Sequence, residues 1–205
     1  MAMAAGIDWQ SLGQAFAEAE AEPKLAKYRR RKWARSVEFA SWIKEAALAE
    51  LSLEQARALY TASGGSHRKD FESNPIGEIR DSLDFLLYDT VKLEGRFQEC
   101  ADDAGAFKLA GAGKDFVSYL LCLSQPRLFA VWNSNSEKAF MKLNRKLSMK
   151  LNIKLGMEMN ALSRGPMGIG YIDLLEGSET VRRGLGMTDF RSVDEFFYFI
   201  SRPGA

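Results

Sequence analysis

Phe107-Lys108-Leu109-Ala110-Gly111-Ala112-Gly113-Lys114-Asp115-Phe116-Val117-Ser118-Tyr119-Leu120-Leu121 is the stretch on which the reading of this chain turns. Two glycines flank one small residue, and an amphipathic helical pattern resumes directly after them. The spacing predicts a helix that ends at a tight turn and an amphipathic helix that resumes at once after it. Glycine permits such a turn and leaves the backbone bare, so a phosphate can approach the amides that open the second helix, at the favourable end of its dipole. Leu109, Gly111, Gly113 and Lys114 are therefore candidate DNA-anchoring residues.

Downstream, Gln125-Pro126-Arg127-Leu128-Phe129-Ala130-Val131-Trp132-Asn133-Ser134 places a proline-marked break and a short extended segment before the next helix. Upstream, the apolar residues are leucine-rich and recur at helical rather than alternating intervals, so no strand is expected and the fold class is all-α. Ile7 to Glu22 reads as an amphipathic helix ended by Pro23. Leu25 to Leu51 reads as one long helix with a basic end, its Trp33 and Trp42 belonging to the core. Ser52 to Gln55 has the form of a capping box, Asn74-Pro75 that of a helix start with Asn as cap, and Leu93 to Cys100 that of a short helix. A further capping box is expected at Ser192 to Glu195. The glycine-rich tract Arg164 to Gly170 lacks the Lys-Ser or Lys-Thr of a nucleotide loop.

At 205 residues and 46% apolar composition, the chain reads as a single helical domain spanning 1–205, with N-terminal helices over 7–51, the hairpin region over 106–133 and C-terminal helices over 134–205. No window is apolar enough for a membrane span, and the opening Met1-Ala2-Met3-Ala4-Ala5-Gly6 lacks the order of a signal peptide, so a cytoplasmic chain without a membrane partner is expected. Cys100 and Cys122, with His67 alone to assist, do not compose a metal site; they read as buried thiols, and neither metal nor cofactor is expected.

The net charge of +1 conceals two acid-free basic runs. Lys24, Lys27, Arg29, Arg30, Arg31, Lys32 and Arg35 form one; Lys138, Lys142, Arg145, Lys146, Lys150 and Lys154 form the other. Each such run is either a solvated helix face or a phosphate-contacting surface, and two in one domain point to double-stranded DNA. Arg29, Arg30, Arg31, Lys138 and Lys142 are the contacts expected.

Together, the Leu-x-Gly-x-Gly turn, the helix behind it and the Val131-Trp132-Asn133 element about twenty residues on resemble the helix-hairpin-helix DNA glycosylase superfamily. They are also similar to helical modules of bacterial antiviral restriction systems, in which a proline precedes a Trp-Asn or Tyr-Asn pair. The resemblance covers about a quarter of the chain. It implies an enzyme that flips a damaged or modified base out of the duplex and hydrolyses its glycosidic bond, with Trp132, Asn133 and Asn135 lining the base pocket. A hypermodified cytosine of phage DNA is one substrate it suggests.

Asn133 stands where these glycosylases keep an aspartate, and an amide cannot act as a base. Lys114 and Asp115 lie near the position of the nucleophilic lysine of bifunctional relatives; Lys114 either attacks the sugar or touches phosphate, and Asp115 either catalyses or complements the helix dipole. Asp84, Asp89, Asp103 and Asp173 are other carboxylates able to replace the missing one. Ser134 to Glu137 is itself a capping box, which gives Asn133 and Ser134 a purely local reading. The alternative to an enzyme is a non-catalytic reader of modified DNA working with a separate nuclease or ATPase, and a third reading is an interaction protein that keeps the hairpin for packing.

Overall fold

A computed structural model describes residues 7–151 and 165–202, with the side chains of 145–151 excepted. Within them the chain is all-α, with twelve helices: α1 (Trp9–Ala19), α2 (Pro23–Trp33), α3 (Ser36–Trp42), α4 (Glu45–Leu48), α5 (Leu53–Ser63), α6 (Arg68–Glu72), α7 (Ile76–Tyr88), α8 (Leu93–Ala101), α9 (Lys114–Ser124), α10 (Ser134–Leu151), α11 (Met167–Gly184) and α12 (Phe190–Ser201). None of the described helices is long and apolar enough to cross a membrane. Lys154 and Arg164, the Met1 to Gly6 segment, and the side chains of Arg145, Lys146 and Lys150 lie outside the described residues.

Helix α9 is the axle of the fold. Every residue from Phe116 to Leu123 is buried, as expected of a helix that is apolar on all sides. It packs against α3, α5, α7 and α8, while α10 lies along α12, and α11 along α8. Helix α2 touches both groups, meeting α5 on one side and α12 on the other. The close approach of α11 to α8 depends on Gly168, whose added Cβ would lie 1.9 Å from the Glu94 carbonyl oxygen. The glycine tract thus serves helix packing. Gly168 and Gly170 are both buried in the first turn of α11.

The expected helix over 25–51 is three. Leu25, Tyr28, Lys32, Ser36, Phe39 and Ile43 are all buried and fall within one face at 100° per residue. Continuing the helix would put Leu48 about 140° away from Ile43. The chain breaks instead, with Lys44 extended as the residue before α4, and Leu48 and Leu51 reach the core. Trp33 is buried and Trp42 packs against the core at its margin.

Ser52 and Gln55 form both bonds of the expected capping box. Two other helix starts differ from expectation. Pro75, not Asn74, directly precedes α7, and the Asn74 side-chain amide turns away to Ala110 in the glycine turn. Helix α12 begins at Phe190, because the Asp189 carboxylate caps the amides of Arg191 and Ser192; Ser192 and Glu195 already lie inside it. Both cysteines are free and buried, and burial pushes the Cys100 thiol up to about 12.

Candidate nucleic-acid interface

The glycine turn is where the structure departs most from expectation. Helix α8 ends at Ala101, so the non-helical segment 102–113, rather than a helix, leads into the turn. Gly111 has φ +71° and a Cβ there would lie 2.6 Å from the His67 carbonyl oxygen and 2.8 Å from the Phe71 nitrogen. The bare glycine backbone therefore receives α6, not a phosphate. Asn74 Nδ2 donates to the carbonyls of Phe71 and Ala110 (2.7 and 3.1 Å), and its Oδ1 accepts from the Ala110 amide at 2.9 Å. The Tyr60 hydroxyl donates to the Gly111 carbonyl at 2.8 Å. Leu109 and Ala112 are buried. At the start of α9 the Asp115 carboxylate turns back onto the Phe116 amide at 2.9 Å, its Oδ1 lying 3.3 Å from where a Gly113 Cβ would be. An anion of the protein's own occupies the place expected for a phosphate.

The expected catalytic and base-pocket residues are likewise engaged internally. Lys114 Nζ pairs with Glu137 Oε1 and lies 4.7 Å above the Trp132 ring. Trp132 is only 2% exposed; its indole N–H donates to Glu137 at 3.0 Å and its ring stacks toward Phe97. A base cannot stack on a ring so covered. Asn133 caps α10: its Oδ1 accepts from the amides of Asn135 and Ser136, and its own amide donates to Ser136 Oγ. The box is Asn133 to Ser136, one residue earlier than the Ser134 to Glu137 reading. Asn135 Oδ1 accepts from Ser201 Oγ at 3.1 Å.

Asn133 Nδ2 also donates, at 3.1 Å, to Asp194, a residue the sequence reading passed over. Asp194 is 2% exposed and accepts from four side chains: Asn133 and Lys32 (2.8 Å) on Oδ1, and the Tyr28 hydroxyl (2.8 Å) and Trp33 indole N–H (3.1 Å) on Oδ2. Lys32, a member of the first basic run, is thus a buried ion-pair partner, and the Tyr119 hydroxyl closes the cluster on the Lys32 carbonyl at 3.2 Å. Burial first, then the Asp194 charge, holds the Tyr28 phenol well above its ordinary pKa. The signal was present: Lys32 shares a face with Leu25 and Tyr28, and Asp194 follows Phe190 and Val193 in the most apolar stretch of the C-terminal region.

Lys142 is withdrawn from the surface as well. Its ammonium donates to the carbonyls of Ile200 and Arg202 (2.7 and 2.6 Å), closing the C-terminal end of α12, where a cation complements both the free carbonyls and the dipole. Lys138 is exposed.

Open cationic side chains also lie along α2 and α3. Arg30 and Arg31 are consecutive and exposed, and open into different clefts. One, of about 410 Å³, is walled by Arg31, Arg35, Arg57 and Arg68 over a floor that includes Phe39 and Ala62. The other, of about 500 Å³, is walled by Arg29, Arg30 and Arg191 with Trp33 and Glu195. Most of these guanidiniums have carboxylate partners: Arg35 with Glu38, Arg57 and Arg68 with Glu72, Arg29 with Glu195, and Arg191 with Asp189. Burial raises the Glu195 pKa against the opposing effect of Arg29. Among the described residues Arg30 and Arg31 make no ion pair; Arg31 lies 6.0 Å over the Tyr28 ring.

Comparison of the chain with models of known families, with curated proteins and with solved structures finds no match.

Proposed function

We propose that this chain is a helical module that binds double-stranded DNA through the α2–α3 ridge and leaves the DNA intact, acting with a separate nuclease or ATPase. One observation carries the reading: Arg30 and Arg31, side by side and without carboxylate partners among the described residues, open into two arginine-walled clefts. Guanidiniums already matched by Glu are neutralised locally, whereas an unmatched one gains most from phosphate, through charge-assisted bonds and the release of condensed counterions. Exposed Lys24 and Lys27 extend the same helix face.

Base excision is not part of the proposal. It needs an accessible catalytic group and a pocket, and both polar atoms of the Asn133 side chain are bonded within the protein, while Trp132 is covered on its faces. Asp194, the carboxylate beside Asn133, is sealed from solvent and neutralised by Lys32.

The test is duplex binding by fluorescence anisotropy across a salt series. The wild type is expected to bind with a log–log salt slope set by its phosphate contacts. R30Q/R31Q is expected to bind more weakly and to flatten that slope by about 2, near 0.9 for each lost contact. Bound DNA is expected to carry no alkali-labile sites. An unchanged slope in the double variant would remove the ridge from the interface, and alkali-labile sites would restore base excision.

A further inference from the structure

The two clefts differ in how their guanidiniums are committed. In the cleft beside Arg30, Arg29 and Arg191 each have a carboxylate of their own, Glu195 and Asp189. The cleft beside Arg31 brings four guanidiniums from separate elements to one recess of about 410 Å³: Arg31 of α2, Arg35 of the link before α3, Arg57 of α5 and Arg68 of α6. Arg35 uses two nitrogens on Glu38, at 2.7 and 2.8 Å, but Arg57 and Arg68 share a single oxygen, Glu72 Oε1. Arg68 Nε donates to it at 2.6 Å, while Arg57 Nε is buried 3.3 Å from it and makes no hydrogen bond. Among the described residues, the terminal nitrogens of Arg31, Arg57 and Arg68 donate to no protein acceptor. The four guanidiniums also outnumber by one the acids on the wall or paired with it, which are Glu54, Glu38 and Glu72.

Uncommitted guanidinium forks lining one recess suit a group with several acceptor oxygens and more than one negative charge. A phosphate inside a DNA strand has a single charge and is tethered to a sugar on either side. A phosphate at a strand end is tethered on one side only. It carries about −1.5 to −2 charges at neutral pH and presents three strong acceptor oxygens, as any phosphomonoester does. A recess admits such a group, whereas an internal phosphate brings the chain on both sides with it.

Resting on the DNA-binding reading above, we infer that Arg31, Arg57 and Arg68 form a pocket for the terminal phosphomonoester of a DNA strand, so that the module recognises DNA ends. Arg31 belongs both to α2 and to the recess, which sets the pocket directly beside the backbone contacts of the ridge. Arg57 and Arg68 lie off the ridge and are the residues that distinguish an end from an internal backbone. One net charge-assisted hydrogen bond beyond those made to an unphosphorylated end is worth about tenfold in affinity.

The experiment compares three short blunt duplexes of one sequence, internally labelled, that carry phosphate at the 5′ ends, at the 3′ ends or at neither, by anisotropy at one low salt concentration. The wild type is expected to bind at least one phosphorylated duplex about tenfold more tightly than the unphosphorylated one. R68Q changes a side chain that is 66% exposed and leaves Glu72 its Arg57 partner; it is expected to bind all three duplexes alike. R30Q, in the other cleft, is expected to weaken all three and keep the phosphate advantage. Free dTMP, which carries the same group without a duplex, is expected to bind at least about tenfold more weakly than the phosphorylated duplex when titrated calorimetrically. Equal binding of the three duplexes by the wild type, an advantage retained in R68Q or lost in R30Q, or dTMP binding as tightly as the phosphorylated duplex would each overturn the end pocket while leaving DNA binding by the ridge in place. Failure of the wild type to bind any of the duplexes would overturn both.

Discussion

Replacing Asp194 by alanine leaves the Lys32 ammonium, 2% exposed, without its carboxylate, and strands three further donors: the Tyr28 hydroxyl, the Trp33 indole and the Asn133 amide. Breaking one side of a buried ion pair costs about 3–5 kcal/mol, because the surviving charge is left uncompensated. That is a large share of the roughly 5–15 kcal/mol by which domains are stable. At about 2–4 °C per kcal/mol for a chain of this length, a loss near 4 kcal/mol lowers Tm by roughly 8–16 °C. The charge component separates from the rest in a double-mutant cycle. K32M alone removes the cation but leaves Asp194 with its neutral donors; K32M with D194L removes both charges together. The double variant is expected to lose at least about 1–2 kcal/mol less than the sum of D194L and K32M, the usual size of coupling between contacting groups. Urea denaturation of the four proteins gives the cycle. A D194A protein within about 1 kcal/mol of wild type, or strict additivity of the double variant, would refute the assignment of Asp194 and Lys32 as a coupled buried pair.

Other perturbations have equally definite outcomes. Restoring an aspartate with N133D retains the cap on Asn135 and Ser136 but sets a second carboxylate where the amide donated to Asp194 at 3.1 Å; N133D is expected to be less stable than N133S, which keeps a capping hydroxyl, in the same urea assay. G111A combines a left-handed φ with a Cβ 2.6 Å from a carbonyl oxygen, whereas Gly64, at φ +100°, ends α5 in open space. G64A is thus expected to cost about 1 kcal/mol and G111A clearly more, compared by Tm. The thiol of Cys100, raised to about 12 by burial, and that of Cys122, raised well above its ordinary value by the same cause, are expected to stay unreactive toward a disulfide reagent at pH 8 in the native protein and both to react in denaturant.

Helix content was legible because leucine-rich periodicity is local, and so was the Ser52 to Gln55 box, which needs only four consecutive residues. The breaks after Trp33 and Ile43 were not, since no proline or glycine marks them; the need to bury Leu48 and Leu51 decides the second, and nothing in the structure explains the first. The glycine turn shows the same division. Gly111 does mark a turn that other side chains cannot follow, but the groups meeting it come from His67 and Phe71, at the start of α6 and within it, about forty residues earlier in the chain. The seven-residue basic run read as one surface. Helical position divides it, sending Lys32 inward to Asp194 and leaving Arg30 and Arg31 outside. Asn133 was legible as a helix cap, while its bond to Asp194 required the tertiary structure.

Asn74 has a bearing on how the protein breathes. Segment 102–113 has no helix of its own, and a loop of that length would ordinarily exchange its amide protons with solvent within seconds and invite proteases. Here the Ala110 amide is bonded to Asn74 Oδ1, the Ala110 carbonyl to Nδ2, and the Gly111 carbonyl to the Tyr60 hydroxyl, whose ring stacks on Phe71 at 4.2 Å. Freeing that amide means parting α5, α6 and the start of α7 together. The deuterium uptake of the Ala110 amide is therefore expected to follow the opening of the core itself rather than the fluctuations of a surface loop.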